Sequence, residues 1–268
     1  MAITGTGTQA DPYVVSTWDD FVTAVGTSGA YVEVTPNTVW DMNEIVREGI
    51  ESINVSCRQI NGNGLVIKAL RASGYVLEIT RSISITGLSI LSFLAQGLIW
   101  IKDSSSSWFS NTFTDCNFSG EITGQYVLGS AFGSSNEIQG QRCAVSVKGA
   151  ALNWCNRDNH TFKDSNIYFE GPTINGLVCN NCIIAGSLAD TSSQIIYSTG
   201  STINLYGEAN VTWGYNADGR AVTVFNSDRL PNSSENTSYN VKAVTDAQMR
   251  DTAYLDSIGL PIGVLNYG

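Results

Sequence analysis

The chain has 268 residues, with 14 Lys and Arg against 24 Asp and Glu and a formal net charge of −10; with no basic run anywhere, it lacks the dense positive surface that nucleic-acid binding needs. Charged residues make up only 14% while Gly numbers 26, a balance that suits many tight turns rather than long solvated helices. No window approaches the ~18 consecutive apolar residues of a membrane helix, so neither nucleic acid nor membrane is an expected partner.

The start, Met1-Ala2-Ile3-Thr4-Gly5-Thr6-Gly7, has no charged stretch leading into an apolar one, so no secretory signal is expected and synthesis in a cytoplasm is. After a Gly-rich turn and a short strand to Val15, Ser16 or Thr17 can cap a helix whose first turn carries Asp19 and Asp20. Trp18, Phe21, Val22 and Val25 fall on one face at spacings of three and four. Strand-like runs follow at 31–35, 53–57, 65–70, 75–79 and 83–90, separated by turn signals such as Asn61-Gly62-Asn63-Gly64.

From Ile79 to Gly207 one short unit recurs: alternating apolar residues, then a polar corner. Asp115-Cys116-Asn117-Phe118-Ser119-Gly120, Asp164-Ser165-Asn166-Ile167-Tyr168-Phe169-Glu170-Gly171 and Asn181-Cys182-Ile183-Ile184-Ala185-Gly186 are examples. Units of this size bury their apolar faces only by stacking, which predicts a solenoid. The closing glycines at 120, 140, 171, 186 and 207 are 20, 31, 15 and 21 residues apart. A mean near 22 suits coils of three strands, and the long interval predicts an insertion over 141–170, the place to look for function.

After strands near 211–215 and 221–225, residues 226–239 read as a polar loop containing Pro231. Thr245-Asp246-Ala247-Gln248 matches a capping box and opens a helix that runs to Gly259 and Pro261. The expected architecture is all-β, a single right-handed parallel β-helix with short helices at both ends. Residues 1–30 form the N-terminal cap, 31–225 the body and 226–268 the C-terminal loop and cap.

Six cysteines lie at 57, 116, 143, 155, 179 and 182. Cys179-Asn180-Asn181-Cys182 has CxxC spacing, but a zinc site needs a second pair of ligands and His160 is the sole histidine. Thiols buried in stacked coils are the favoured reading, with no metal or cofactor expected.

The opening Gly-Thr-Gly-Thr-Gln-Ala-Asp-Pro-Tyr-Val-Val-Ser-Thr-Trp-Asp-Asp-Phe, the Asp115-to-Gly120 type of corner and the tail from Met249 to Gly263 resemble right-handed parallel β-helix proteins. More narrowly, they resemble the pectin-lyase-like structural proteins of tailed-bacteriophage virions. The resemblance implies a non-enzymatic virion component attached to capsid or tail, contacting other virion proteins and assembling as a trimer. It also implies loops presented to host-surface glycans. Family enzymes of this fold carry Gly-His-Gly and Asp-Asp motifs. This chain has no Gly-His-Gly, and its one Asp-Asp pair, Asp19-Asp20, sits in the predicted cap.

Two alternatives remain open. One is a polysaccharide-cleaving tail spike, in which Asp158 and His160 beside Arg157 on one loop supply acid, base and charge; the competing reading is a hydrated turn. The other is a bacterial surface adhesin, which requires an export signal. For glycan binding, Trp154, Arg157, Trp213 and Tyr215 are the candidates, since aromatic rings offer amphipathic stacking area; burial in the core or in a subunit interface is the competing reading.

Overall fold

A computed structural model of the chain describes residues 3–102, 110–130, 137–154, 160–174, 176–214 and 221–260. The protein is mostly β, and its strands pair in parallel into a long sheet that nearly closes round an axis. Three ladders make up its faces. The first runs from Tyr13–Val15 through Tyr31–Val34, the opening parts of Gln59–Arg71 and Ile83–Ala95, then Ser110–Thr114, Glu137–Gln141, Thr161–Lys163, Leu177–Asn180, Gln194–Thr199 and Val211–Gly214.

The second runs from Val39–Asp41 through the later parts of the two long strands, then Asn117–Ile122, Ala144–Lys148, Asn166–Gly171, Ile183–Leu188, Thr202–Tyr206, Thr223–Asn226 and Val241–Val244. The third comprises Ile53–Val55, Tyr75–Ile79, Gly97–Ile101, Tyr126–Ser130 and Ala151–Trp154.

Alternation explains the core. Successive residues of a strand point to opposite sides, so Ile167 and Phe169 go inward while Tyr168 goes out, and Val145 and Val147 do the same one pass earlier. Inward side chains from all three ladders merge into one buried column. Past the last described strand of the third ladder the passes shorten: Asn117 stands opposite Ala144, whereas Asn166 stands opposite Ile183.

The expected insertion over 141–170 is absent. Gln139 faces Thr161 and Ala144 faces Asn166, both 22 positions on, so the segment is one ordinary pass containing the strands Ala144–Lys148, Ala151–Trp154 and Thr161–Lys163. The glycine spacing misled because the glycines do different work. Gly140 lies inside a first-face strand, opposite Phe162, and a Cβ there would come within 2.4 Å of the Phe162 ring. Gly171 instead ends a second-face strand.

The turn from first to second face is tight and repeats along the body. Asp115, Arg142, Asp164 and Asn181 adopt φ values of 53°, 51°, 50° and 53°, a left-handed conformation that Asn and Asp tolerate better than most residues. Their amides stack pass upon pass: Asp115 donates to the Gln141 carbonyl at 3.1 Å, Arg142 to Lys163 at 3.0 Å and Asp164 to Asn180 at 3.0 Å. Each is followed by a small inward residue: Cys116, Cys143, Ser165 and Cys182. The Cys143 thiol donates to the Phe113 carbonyl and the Cys182 thiol to the Phe162 carbonyl, each at 3.3 Å. Small side chains thus fill the corner and supply thiol or hydroxyl donors to its backbone carbonyls.

At the N-terminus the helix Trp18–Gly26 is capped by the Thr17 hydroxyl, which accepts from the Asp20 amide. It buries Trp18, Phe21, Ala24 and Val25, while Val22 stays exposed. Trp40 meets both Trp18 and Phe21, with ring centroids 5.8 and 5.3 Å apart. At the other end the Thr245–Gln248 capping box forms, but the helix it opens covers only Asp246–Met249. The Asp251 side chain then accepts from the Tyr254 amide and starts a second helix, Thr252–Ser257. An acidic N-cap therefore divides the single helix expected there. Val222, Val224, Val244, Met249, Leu255 and Leu260 form a separate buried cluster beneath these turns. No helix among the described residues is long and apolar enough to cross a membrane.

Candidate functional site: an aromatic groove on the second face

Of the residues singled out from sequence, His160 and Trp213 are placed inside. His160 is fully buried, and its Nδ1 accepts a hydrogen bond from the Ile138 amide at 3.2 Å. It stands just before Thr161, whose partner is Gln139, so it takes an inward position in the first ladder and does not sit on an exposed loop as an acid–base group. Trp213 retains 3% exposure; its Nε1 donates to the Ser234 carbonyl at 2.8 Å and its ring lies 5.1 Å from that of Phe225. Burial therefore replaces the sugar-stacking role considered for Trp213. Arg157, Asp158, Tyr215 and the Trp154 side chain lie outside the described residues.

The five described thiols are all buried, and although the hydrogen bond with Cys116 lowers Cys143, others are held protonated. Burial pushes Cys57 up to about 12, a hydrogen bond to Cys143 raises Cys116, and desolvation raises Cys179. A thiol held protonated in this way is a poor nucleophile. Among the described residues no group of three or more His, Cys, Asp or Glu is placed to hold a metal ion, and Cys179 and Cys182 are both buried.

A different set of side chains forms a groove of about 380 Å³ on the outside of the second face. Two outward rows build it. In one, Leu91, Ser119, Ser146 and Tyr168 stand opposite one another in turn; in the other, Phe93, Glu121, Lys148 and Glu170 do so. Small Ser119, Gly120 and Ser146 form the floor. Gly120 is required there, because a Cβ would meet the Ser92 carbonyl oxygen at 2.3 Å. The walls are apolar and unusually open for such residues, Phe93 at 40% and Tyr168 at 45% exposure. Three steps at the ~4.8 Å strand spacing put these walls about 14 Å apart along the axis.

Between the walls a cation alternates with two anions, Glu121, Lys148 and Glu170, on neighbouring strands. The Tyr168 hydroxyl donates to the Glu170 carboxylate, which raises the phenol above its ordinary value. The Glu170 row continues through Ser187 to Tyr206, which is 54% exposed and carries the Arg229 guanidinium 4.3 Å above its ring. Rings that stack, carboxylates that accept and an ammonium that donates are the groups suited to a polyhydroxylated ligand lying along the axis.

Sequence reasoning passed over these residues. Tyr168 and Phe169 are adjacent and both aromatic, and the inward phase of the alternation separates a core ring from a surface one. A second groove, of about 460 Å³ on the first face, is lined by Thr112, Gln139, Thr161 and Lys163. There Glu137 is already engaged by the Thr161 hydroxyl at 2.7 Å and the Gln139 amide at 3.1 Å.

Set against models of protein families, curated proteins and solved structures, the chain matches none of them.

Proposed function

We propose that this chain is a non-enzymatic structural component of a bacteriophage virion, a right-handed parallel β-helix that carries a glycan-attachment groove on its second face. The observation that carries the reading is the groove between Phe93 and Tyr168, where exposed rings stand on a backbone of parallel strands hydrogen-bonded from pass to pass. Such a ladder holds its outward side chains at fixed spacing and opens locally at few points, which suits repeated binding of an extended polymer. The resemblance of the corner motifs and the two ends to phage β-helix proteins supplies the setting: attachment to capsid or tail, other virion proteins as neighbours, and assembly as a trimer. The burial of His160 supports binding over a histidine-assisted cleavage.

The test is genetic and visual. Particles lacking the gene are expected to lose a projection and to adsorb less to host cells, and adding back the purified protein should restore both. Particles of unchanged outline and adsorption would overturn the reading.

One observation favours a second reading, cleavage of the bound polysaccharide. Glu121 and Glu170 stand two strands apart in one groove, roughly 9–10 Å at the usual strand spacing, near the separation at which paired carboxylates act on either side of a glycosidic bond with a water between them. New reducing ends released from host capsule by the protein, and not by Glu170→Gln, would establish it. Bound but uncleaved polymer would dismiss it.

A further inference from the structure

We infer that the first face carries a separate oxyanion site, built by Arg58 and Arg81, for a sulfate ester or carboxylate group of a ligand. A cavity of about 440 Å³ there is lined by both arginines and by the hydroxyls of Ser82, Ser84, Ser110 and Thr112. Ionic partners occupy Lys102, Arg142, Arg229 and Arg250, whereas among the described residues neither Arg58 nor Arg81 pairs with a carboxylate. Arg81 is half-buried and held in place by one hydrogen bond, Nη1 donating to the Ser28 hydroxyl at 2.9 Å. Among the described residues the rest of its donor fork has no hydrogen-bond partner. Arg58 precedes Gln59, which stands opposite Ser84, so its side chain rises one strand before the serine row.

Two guanidinium groups with no carboxylate partner among the described residues, over a row of Ser and Thr side chains, match the geometry of a planar or tetrahedral oxyanion, since the fork of Arg binds such groups through two parallel hydrogen bonds. The location within an acidic chain sharpens the point. At a net charge of −10 the protein as a whole repels polyanions, so a local positive cavity confers selectivity that bulk charge cannot. The site lies on a different face from the aromatic groove and does not depend on it.

Surface plasmon resonance of the full chain on immobilised dextran sulfate, polygalacturonate and neutral dextran tests the inference at low and at physiological salt. The expected result is binding to one or both acidic polymers and none to dextran, weakening as salt rises. Which acidic polymer binds distinguishes a sulfate from a carboxylate ligand. Arg58→Gln, whose side chain is exposed and has no hydrogen bond among the described residues, should lose at least about tenfold in affinity, the effect of removing one charge-assisted hydrogen bond. Arg81→Gln should lose as much, with its melting temperature measured alongside so that unfolding is not mistaken for lost binding. Failure of the wild type to bind either acidic polymer, or equal binding by a folded Arg58→Gln, would overturn the inference. Val39→Ala, at an exposed position that lines neither this cavity nor the aromatic groove, should bind as the wild type does, and the loss is read at Arg58 and Arg81 alone, so this result and the groove's own test stand or fall separately.

Discussion

Arg142 lies directly over Asp115 in the stack of corners, its Nε and one terminal nitrogen donating to the two carboxylate oxygens at 2.7 and 2.8 Å, while both residues hold left-handed backbone. The pair shows how the corners hold: each side chain at a conformationally awkward position is tied to the same position of the next pass. The Asn181 amide does the same for Asp164 at 2.6 Å. Replacing Arg142 by Val removes the ion pair and puts a β-branched residue where φ is positive, whereas Gly removes only the pair and relaxes the backbone. Thermal unfolding should therefore rank wild type and Arg142→Gly close together and Arg142→Val clearly lower; equal melting of the two variants would contradict this reading of the corner.

The same contacts set an acid limit. The Arg142 guanidinium holds Asp115 below its ordinary 3.8, the Ser192 amide does so for Asp190, and the Asn226 side chain for Asp246. A carboxyl whose folded value is depressed stabilises the fold fully above its unfolded value and loses that contribution as pH falls through the folded one. Melting temperature should be governed by these groups only below about pH 4. Asp115→Asn should fall less steeply there than the wild type, and identical acid profiles would show that the pair contributes nothing.

Gly140 and Phe162 test the packing of the column. Gly140→Val puts methyls into space the Phe162 ring fills, 2.4 Å from where a Cβ would stand, and should cost about 1–3 kcal/mol through overpacking. Phe162→Leu alone opens a void, so the two changes together should be less harmful than their sum, with a coupling of about 0.5–3 kcal/mol. Chemical denaturation of the four proteins measures it, and strict additivity would mean that the residues do not face each other.

Much of the fold was legible because the corners advertise themselves. Asp115-Cys116, Asp164-Ser165 and Asn181-Cys182 put a left-handed-tolerant residue before a small inward one, and the Thr245-to-Gln248 capping box forms as its pattern implies. The register was not legible from glycine spacing, because Gly140 makes room for a ring within one face while Gly171 ends a strand of another. Trp213 and the outward Phe93 and Tyr168 could not be sorted by composition, since large aromatic residues serve equally inside and at binding surfaces. The ladder partners decide: Tyr168 follows Ser146 on the outside, and Trp213 follows Ile196 on the inside.

Five described cysteines are buried, and burial raises Cys57 to about 12. Alkylation of the native protein at pH 8 should leave Cys57, Cys116, Cys143, Cys179 and Cys182 unmodified over hours, with all five reacting in denaturant. Site mapping by mass spectrometry reads this out. Prompt labelling of Cys179 or Cys182 in the folded protein would show that the first ladder opens.

Trp213→Phe removes the indole donor to the carbonyl of the exposed Ser234 and should destabilise by about 0.5–1.5 kcal/mol, the net value of one hydrogen bond. Glycan binding by the folded fraction should be unchanged. A loss of binding without a loss of stability would return Trp213 to the ligand surface.

The groove itself is tested most directly by titrating host capsular polysaccharide into wild type and into the Phe93→Ala/Tyr168→Ala double variant. Both side chains are exposed and leave the inward column untouched, so melting temperature and circular dichroism should coincide. Loss of two stacking walls should weaken binding by at least about tenfold, as removal of central aromatic contacts commonly does. Equal affinity in the two proteins, or no binding by the wild type, would contradict the assignment of this face as the attachment surface.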